Sequence, residues 1–81
     1  MATKNNPGTY DCYANAEPDE PMFVLLGRDR TAPGLVRTWA ASREVENHRR
    51  GGKQTDKAKI AEARACADAM EAWQREHPKK P

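Results

Sequence analysis

The sequence predicts an all-α protein: an antiparallel helical hairpin with an irregular amino-terminal arm and a short apolar segment packed on it. Three observations predict it. Thr55 to His77 is built mostly from alanine, glutamate, lysine, arginine and methionine, with no Gly or Pro inside it. Gly34 to about His48 carries a second helical pattern, and between the two stands Gly51-Gly52, which breaks any helix that reaches it. With 81 residues there is room for one small domain. It divides into an arm over residues 1–20, the hairpin over 21–77 and a tail over 78–81.

The arm contains Asn5, Asn6, Pro7, Gly8, Asn15 and Pro18, which favour irregular structure. Tyr10, Cys12 and Tyr13 are its apolar contacts. Glu17, Asp19 and Glu20 read as a solvated acidic surface, because they lack the alternating oxygen ligands of a Ca²⁺ loop. Met22 to Leu26 is the densest apolar run. Pro21 suits the first position of a helix, and a lone strand has no mate elsewhere in the chain, so the leading reading is a short helix. The alternative is a short strand with an intermolecular partner. Gly27 to Pro33 forms a connector in which Asp29 or Thr31 caps the next helix.

In the helix after it, Leu35, Val36, Trp39 and Ala40 share one side. Thr55 caps the last helix, Asp56 suits its dipole, and Pro78 stops it. Wound at 100° per residue, this helix shows an apolar face of Ile60, Ala63, Cys66, Ala67, Met70 and Trp73. A second stripe consists of Ala61, Ala65, Ala69 and Ala72. The remaining stripe is polar and offers Arg64–Asp68 and Glu71–Arg75 as i, i+4 pairs. The predicted core is Phe23, Leu25, Leu26, Leu35, Val36, Trp39, Ile60, Cys66, Met70 and Trp73. The alanine stripe admits a second helix at close range, most simply from another copy, so a homo-oligomer is expected, a dimer first. Alanine's helix propensity alone is the competing explanation.

Composition narrows the function classes. Hydrophobic content of 37% beside 32% charged residues is low for a self-sufficient globule, which adds weight to a partner or an oligomer. A net charge of +2 falls short of a dedicated nucleic-acid binder. The stretch MATKNNPGTYDC has no apolar signal-peptide core and no run approaches a membrane span, so the expectation is a soluble protein of the host cytoplasm, with Cys12 and Cys66 as free thiols. Catalysis is not expected, since His48 and His77 sit at predicted helix ends and no nucleophile and base are paired. Cys12, Cys66, His48 and His77 lack zinc-ligand spacing, and Gly51-Gly52 lacks the phosphate-loop pattern, so neither metal nor cofactor is expected.

Two clusters are candidates for binding. Arg49, Arg50 and Lys53, with His48, Lys57 and Lys59, concentrate positive charge at the hairpin turn and suit phosphates, although charge in a loop is also an ordinary solubilising feature. Arg28, Asp29, Arg30 and Arg37 bracket a helix amino terminus. With Tyr10 or Tyr13 from the arm they make an anion or nucleotide site in an oligomer, unless Asp29 simply caps the helix and pairs with Arg37 or Arg28.

From Asp19 to Ala40, DEPMFVLLGRDRTAPGLVRTWA resembles a group of small bacteriophage and prophage proteins that share a pattern close to DEPxFVLLxRDxxAPxLVRxWA, followed by a helix ending near MEAW. The matching residues are Asp19 to Pro21, Phe23 to Leu26, Arg28, Asp29, Ala32, Pro33, Leu35 to Arg37, Trp39 and Ala40, then Met70 to Trp73. The resemblance implies a setting: a small phage-encoded accessory protein, made during infection or lysogeny. The leading expectation is a non-enzymatic inhibitor of a host function, antiviral defence first, which occludes a host protein or sequesters an anionic nucleotide signal. The alternatives are a nucleic-acid-binding regulator that uses the basic turn, and a structural or virion assembly protein.

Overall fold

The computed structural model describes residues 2–79; Met1 of the arm and Lys80 and Pro81 of the tail lie outside the described residues. Three helices follow in order: α1 (Cys12–Asn15), α2 (Ala32–Arg49) and α3 (Gln54–Glu76), and no strand occurs among the described residues. At 1.5 Å per residue α2 and α3 are about 27 and 35 Å long. They run antiparallel, since Arg37 meets Asp68 and Glu71, Glu44 meets Arg64, and Asn47 meets Lys53. The all-α hairpin read from the sequence is the fold. No helix among the described residues is long and apolar enough to cross a membrane.

The connector into α2 is fixed by Asp29. Its Oδ1 accepts from the Thr31 amide at 2.9 Å and from the Thr31 hydroxyl at 2.7 Å, and Pro33 occupies the first helical turn. Thr31 is the N-cap residue, yet its side chain caps nothing because it is spent on Asp29.

α2 ends in a Schellman motif. The Gly52 amide donates to the Asn47 carbonyl at 2.9 Å and the Gly51 amide to the His48 carbonyl at 3.2 Å. Gly51 and Gly52 have φ of 99° and 72°, a left-handed conformation that costs a residue with a Cβ. Asn47 then reaches over the turn. Its Oδ1 accepts from the Lys53 amide at 2.9 Å and its Nδ2 donates to the Lys53 carbonyl at 3.2 Å. This clasp sets the start of α3 at Gln54, so Thr55 lies within the helix and is not its cap.

The core between the helices is narrow and made of small side chains. Ala32, Ala40, Ile60, Ala63 and Ala67 are its buried apolar residues, and Val36 packs against Ala40, Ile60 and Ala63. Four residues expected in the core are exposed instead: Phe23 at 87%, Leu26, Leu35 and Trp39 at 42%. The seam is filled by Ala40, Ala63, Ile60 and Val36, and Leu35 and Trp39 stand on the exposed side of α2. Leu25, Cys66, Met70 and Trp73 are half-buried. The apolar face of α3 is therefore shared: Ile60, Ala63 and Ala67 are buried at the seam, whereas Cys66, Met70 and Trp73 line a groove with residues 2–4 and 25–28.

The run from Met22 to Leu26 takes neither regular form weighed for it. Pro21 contributes no N–H, and a turn at Gly27-Arg28 ends the run after five residues, too few for a stable isolated helix. Only its end covers α3. Gln74 Nε2 donates to the carbonyls of Gly27 at 2.8 Å and Asp29 at 3.0 Å, which pins the connector over the far end of the helix.

Candidate functional site

The side chains proposed to bind a ligand are not gathered into one site. Arg28, Asp29 and Arg30 lie at the end of the hairpin where α2 begins and α3 finishes, as the bond from Arg30 Nη2 to the Pro78 carbonyl at 3.0 Å shows. Arg49, Arg50 and Lys53 lie at the opposite end, around the turn. Tyr10 is half-buried near Lys59, whose Nζ stands 5.7 Å from the ring centroid. Along α3, Lys59 and Gln74 are about 22 Å apart, so Tyr10 is remote from the Arg28–Arg30 cluster. Tyr13, on α1, is 81% exposed.

Arg37 was expected beside Asp29 and is committed elsewhere. Its Nη2 donates to Asp68 Oδ1 and to Glu71 Oε1, both at 2.7 Å. Two carboxylates hold the guanidinium in its charged form even more firmly than usual, and the hydrogen bond from Arg37 draws Glu71 below the ordinary carboxylate range. Arg64 likewise reaches across to Glu44 at 3.1 Å and lowers its pKa, chiefly through the side-chain hydrogen bond. In place of direct Arg64–Asp68 and Glu71–Arg75 ion pairs within α3, the ion pairs of Arg64 and Glu71 run between helices, while the Arg75 charge still adds to the lowering of the Glu71 pKa. A facing helix offers a partner straight across the seam, where a charge-assisted bond can reach 2.7 Å. Asp29 is held below its ordinary range by the Thr31 hydroxyl, and it pairs with neither Arg28 nor Arg37.

At the turn, Arg50 Nε donates to Glu46 at 3.0 Å and Arg43 pairs with Asp56 at 3.6 Å. Arg49, Lys53 and Lys57 have exposed side chains that make no ion pair among the described residues. A shallow depression beside them is lined by His48, Gly52, Lys57, Ile60 and Arg64 among others. No group of three His, Cys, Asp or Glu among the described residues is placed to hold a metal ion. Ala61, Ala65 and Ala69 of the alanine stripe are exposed, and Ala72 is half-buried.

What the molecule does present is apolar surface outside the core. On α2, Leu35 and Trp39 lie one turn apart and both are about half exposed, with Val45 farther along. In the arm and the apolar run, Tyr13, Met22, Phe23 and Val24 line one open depression, and Val24 and Leu26 line the next. The core read from the sequence held four of these residues, Phe23, Leu26, Leu35 and Trp39. Sequence reasoning also passed over Asn47 and Gln74, the two amides that hold the ends of the hairpin. An Asn four positions before Gly-Gly was a usable signal for the first; nothing in the sequence pattern marked the second.

Comparison with protein-family models, curated proteins and solved structures returned no match.

Proposed function

We propose that this chain acts by binding and not by catalysis, as a small phage-encoded accessory protein of the host cytoplasm that neutralises a host function, antiviral defence first. The observation that carries the reading is the outward face of α2, where Leu35 and Trp39 are exposed one turn apart. A half-exposed tryptophan beside a leucine at i−4 is the kind of anchor that fills a pocket on a protein partner. The bacteriophage setting comes from the resemblance of residues 19–40 and 70–73. Occlusion of a host protein is preferred to sequestration of an anionic nucleotide, because Arg37 is already held by two carboxylates and Tyr10 lies far from Arg28–Arg30. Self-association, a dimer first, is part of the same reading. A second reading, a nucleic-acid-binding regulator, is favoured by the unpaired Arg49, Lys53 and Lys57 at the turn.

Affinity capture of the tagged chain from host lysate, with and without nuclease, separates these. A stoichiometric host protein that survives nuclease, and is lost when Leu35 and Trp39 are both replaced by Asp, supports occlusion. Capture abolished by nuclease and by Arg49→Glu with Lys53→Glu supports the regulator. An empty capture contradicts both.

A further inference from the structure

Residues 19–28, Asp-Glu-Pro-Met-Phe-Val-Leu-Leu-Gly-Arg, have acids at one end, an arginine at the other and five apolar residues between. In the folded chain the backbone of residues 21–25 makes no hydrogen bond among the described residues; the first carbonyl used is that of Leu26, which accepts from the Asp29 amide. The side chains are as open as the backbone. Phe23 is 87% exposed, Val24 68% and Leu26 55%, and Tyr13 borders them across the same depression. With aromatic side chains of roughly 150–250 Å² each, Tyr13, Met22, Phe23, Val24 and Leu26 expose roughly 600 Å² together. That is at the upper end for the largest patch on a monomer, about 300–600 Å². It approaches the roughly 800 Å² that each partner buries in a standard interface.

We infer that a second copy of this chain covers the patch, through antiparallel pairing of the two 22–26 runs about a two-fold axis at Val24. An isologous contact demands a self-complementary surface. This segment supplies one: in that register Phe23 faces Leu25 and Met22 faces Leu26, each pair occurring twice, and the Glu20 that precedes the run of one copy lies toward the Arg28 of the Gly27-Arg28 turn that follows the run of the other. Arg28 makes no hydrogen bond or ion pair within the described part of its own chain, so its charge is free to take a partner. Shifting the axis to Phe23 sets Arg28 opposite Pro18 and Glu20 opposite Leu26, which forfeits both charge pairs. The pairing also takes up every second amide and carbonyl of the open run, where unbonded amides beside exposed apolar side chains are a template for strand addition. The α2 face of Leu35 and Trp39 takes no part in the pairing and is left for another partner.

The inference rests on the self-association proposed above and sets its surface on the apolar run in place of the alanine stripe. Sedimentation velocity of the full chain across a range of concentrations tests it, with circular dichroism confirming that each variant keeps its helices. The wild type is expected to be a dimer. Arg28→Glu and Glu20→Arg should each weaken it about tenfold, as two facing pairs turn from attraction to repulsion. The double variant Glu20→Arg/Arg28→Glu should return to within about threefold of wild type, and Phe23→Asp should be monomeric. Ala65→Glu with Ala69→Glu should leave the dimer intact. If Phe23→Asp also loses its helices, the exposed charge swap decides alone. A dimer indifferent to the charge swap, or one split by the alanine variants, overturns this surface and leaves self-association standing. A wild-type monomer at every concentration overturns both.

Discussion

Asn47→Ala is the substitution that reads most directly on what closes the hairpin. Asn47 is 3% exposed and is the one buried polar residue among the described residues. Its carboxamide makes bonds of 2.9 and 3.2 Å to the Lys53 amide and carbonyl, across a turn whose direction Gly51 and Gly52 set. Each such bond contributes about 1 kcal/mol net, and water can replace part of the loss because Lys53 itself is exposed, so the variant should lose about 1.5–2 kcal/mol. For a domain of this size that lowers the thermal midpoint by about 10 °C. Asn47→Asp keeps the acceptor for the Lys53 amide but points a carboxylate oxygen at the Lys53 carbonyl, so it should recover no more than half of the loss. The assay is a thermal melt followed by helical circular dichroism. A midpoint lowered by less than about 2 °C in Asn47→Ala would refute the clasp as the element that closes the turn.

Three further outcomes follow from the geometry. Gly51→Ala should cost about 1–2 kcal/mol in a denaturant titration, because φ of 99° places a Cβ against its own backbone, whereas Gly34→Ala, inside α2 with nothing within 4 Å, should stabilise by about 0.5–1 kcal/mol. Glu71 and Glu44 have folded pKa values below their ordinary range. Their contribution is therefore fully present above the unfolded glutamate value of about 4.3 and is lost as pH falls through the lowered folded values, so melting midpoints should decline below about pH 4 and decline less steeply in Glu44→Gln/Glu71→Gln. Trp73, half-buried and stacked on His77 at 3.9 Å between ring centroids, should cost about 2–3 kcal/mol as Trp73→Ala, less than a fully buried tryptophan; Trp39→Ala should cost about 1 kcal/mol, and acrylamide should quench Trp39 faster than Trp73 when each is the sole tryptophan.

The helices were legible in the sequence because their signals are local. Helix-forming residues without interruption placed α3 to within two residues at its amino end and one at its carboxyl end, and Gly51-Gly52 separated it from α2. What was not legible depends on which faces of the two helices meet. Alanine appears on α3 both at the seam, as Ala63 and Ala67, and outside it, as Ala61, Ala65 and Ala69, and composition cannot rank those faces. The small faces meet, and large residues such as Trp39 and Leu35 stand outside, against the rule that apolar bulk goes inside. Charge pairing failed for a related reason. Arg64 had Asp68 a turn away and Glu44 across the seam, and Arg37 had Asp29 in the connector and Asp68 and Glu71 across the seam; in both cases only the tertiary arrangement brought the second kind closer. The binding residues were readable as types but not as a constellation: Arg28–Arg30, Arg37 and Arg49–Lys53 are spread along the full length of the hairpin.

The central claim is that the apolar run and the outward face of α2 lie outside the core and serve partners. Amide hydrogen exchange read by mass spectrometry, at low and high protein concentration, tests it most directly. Residues 22–25 should exchange rapidly in the dilute chain and become protected as concentration rises, while 40 and 60–67 stay protected throughout. Residues 22–25 as protected as 60–67 at the lowest concentration would show the run to be part of the core of a single chain, and would contradict the account.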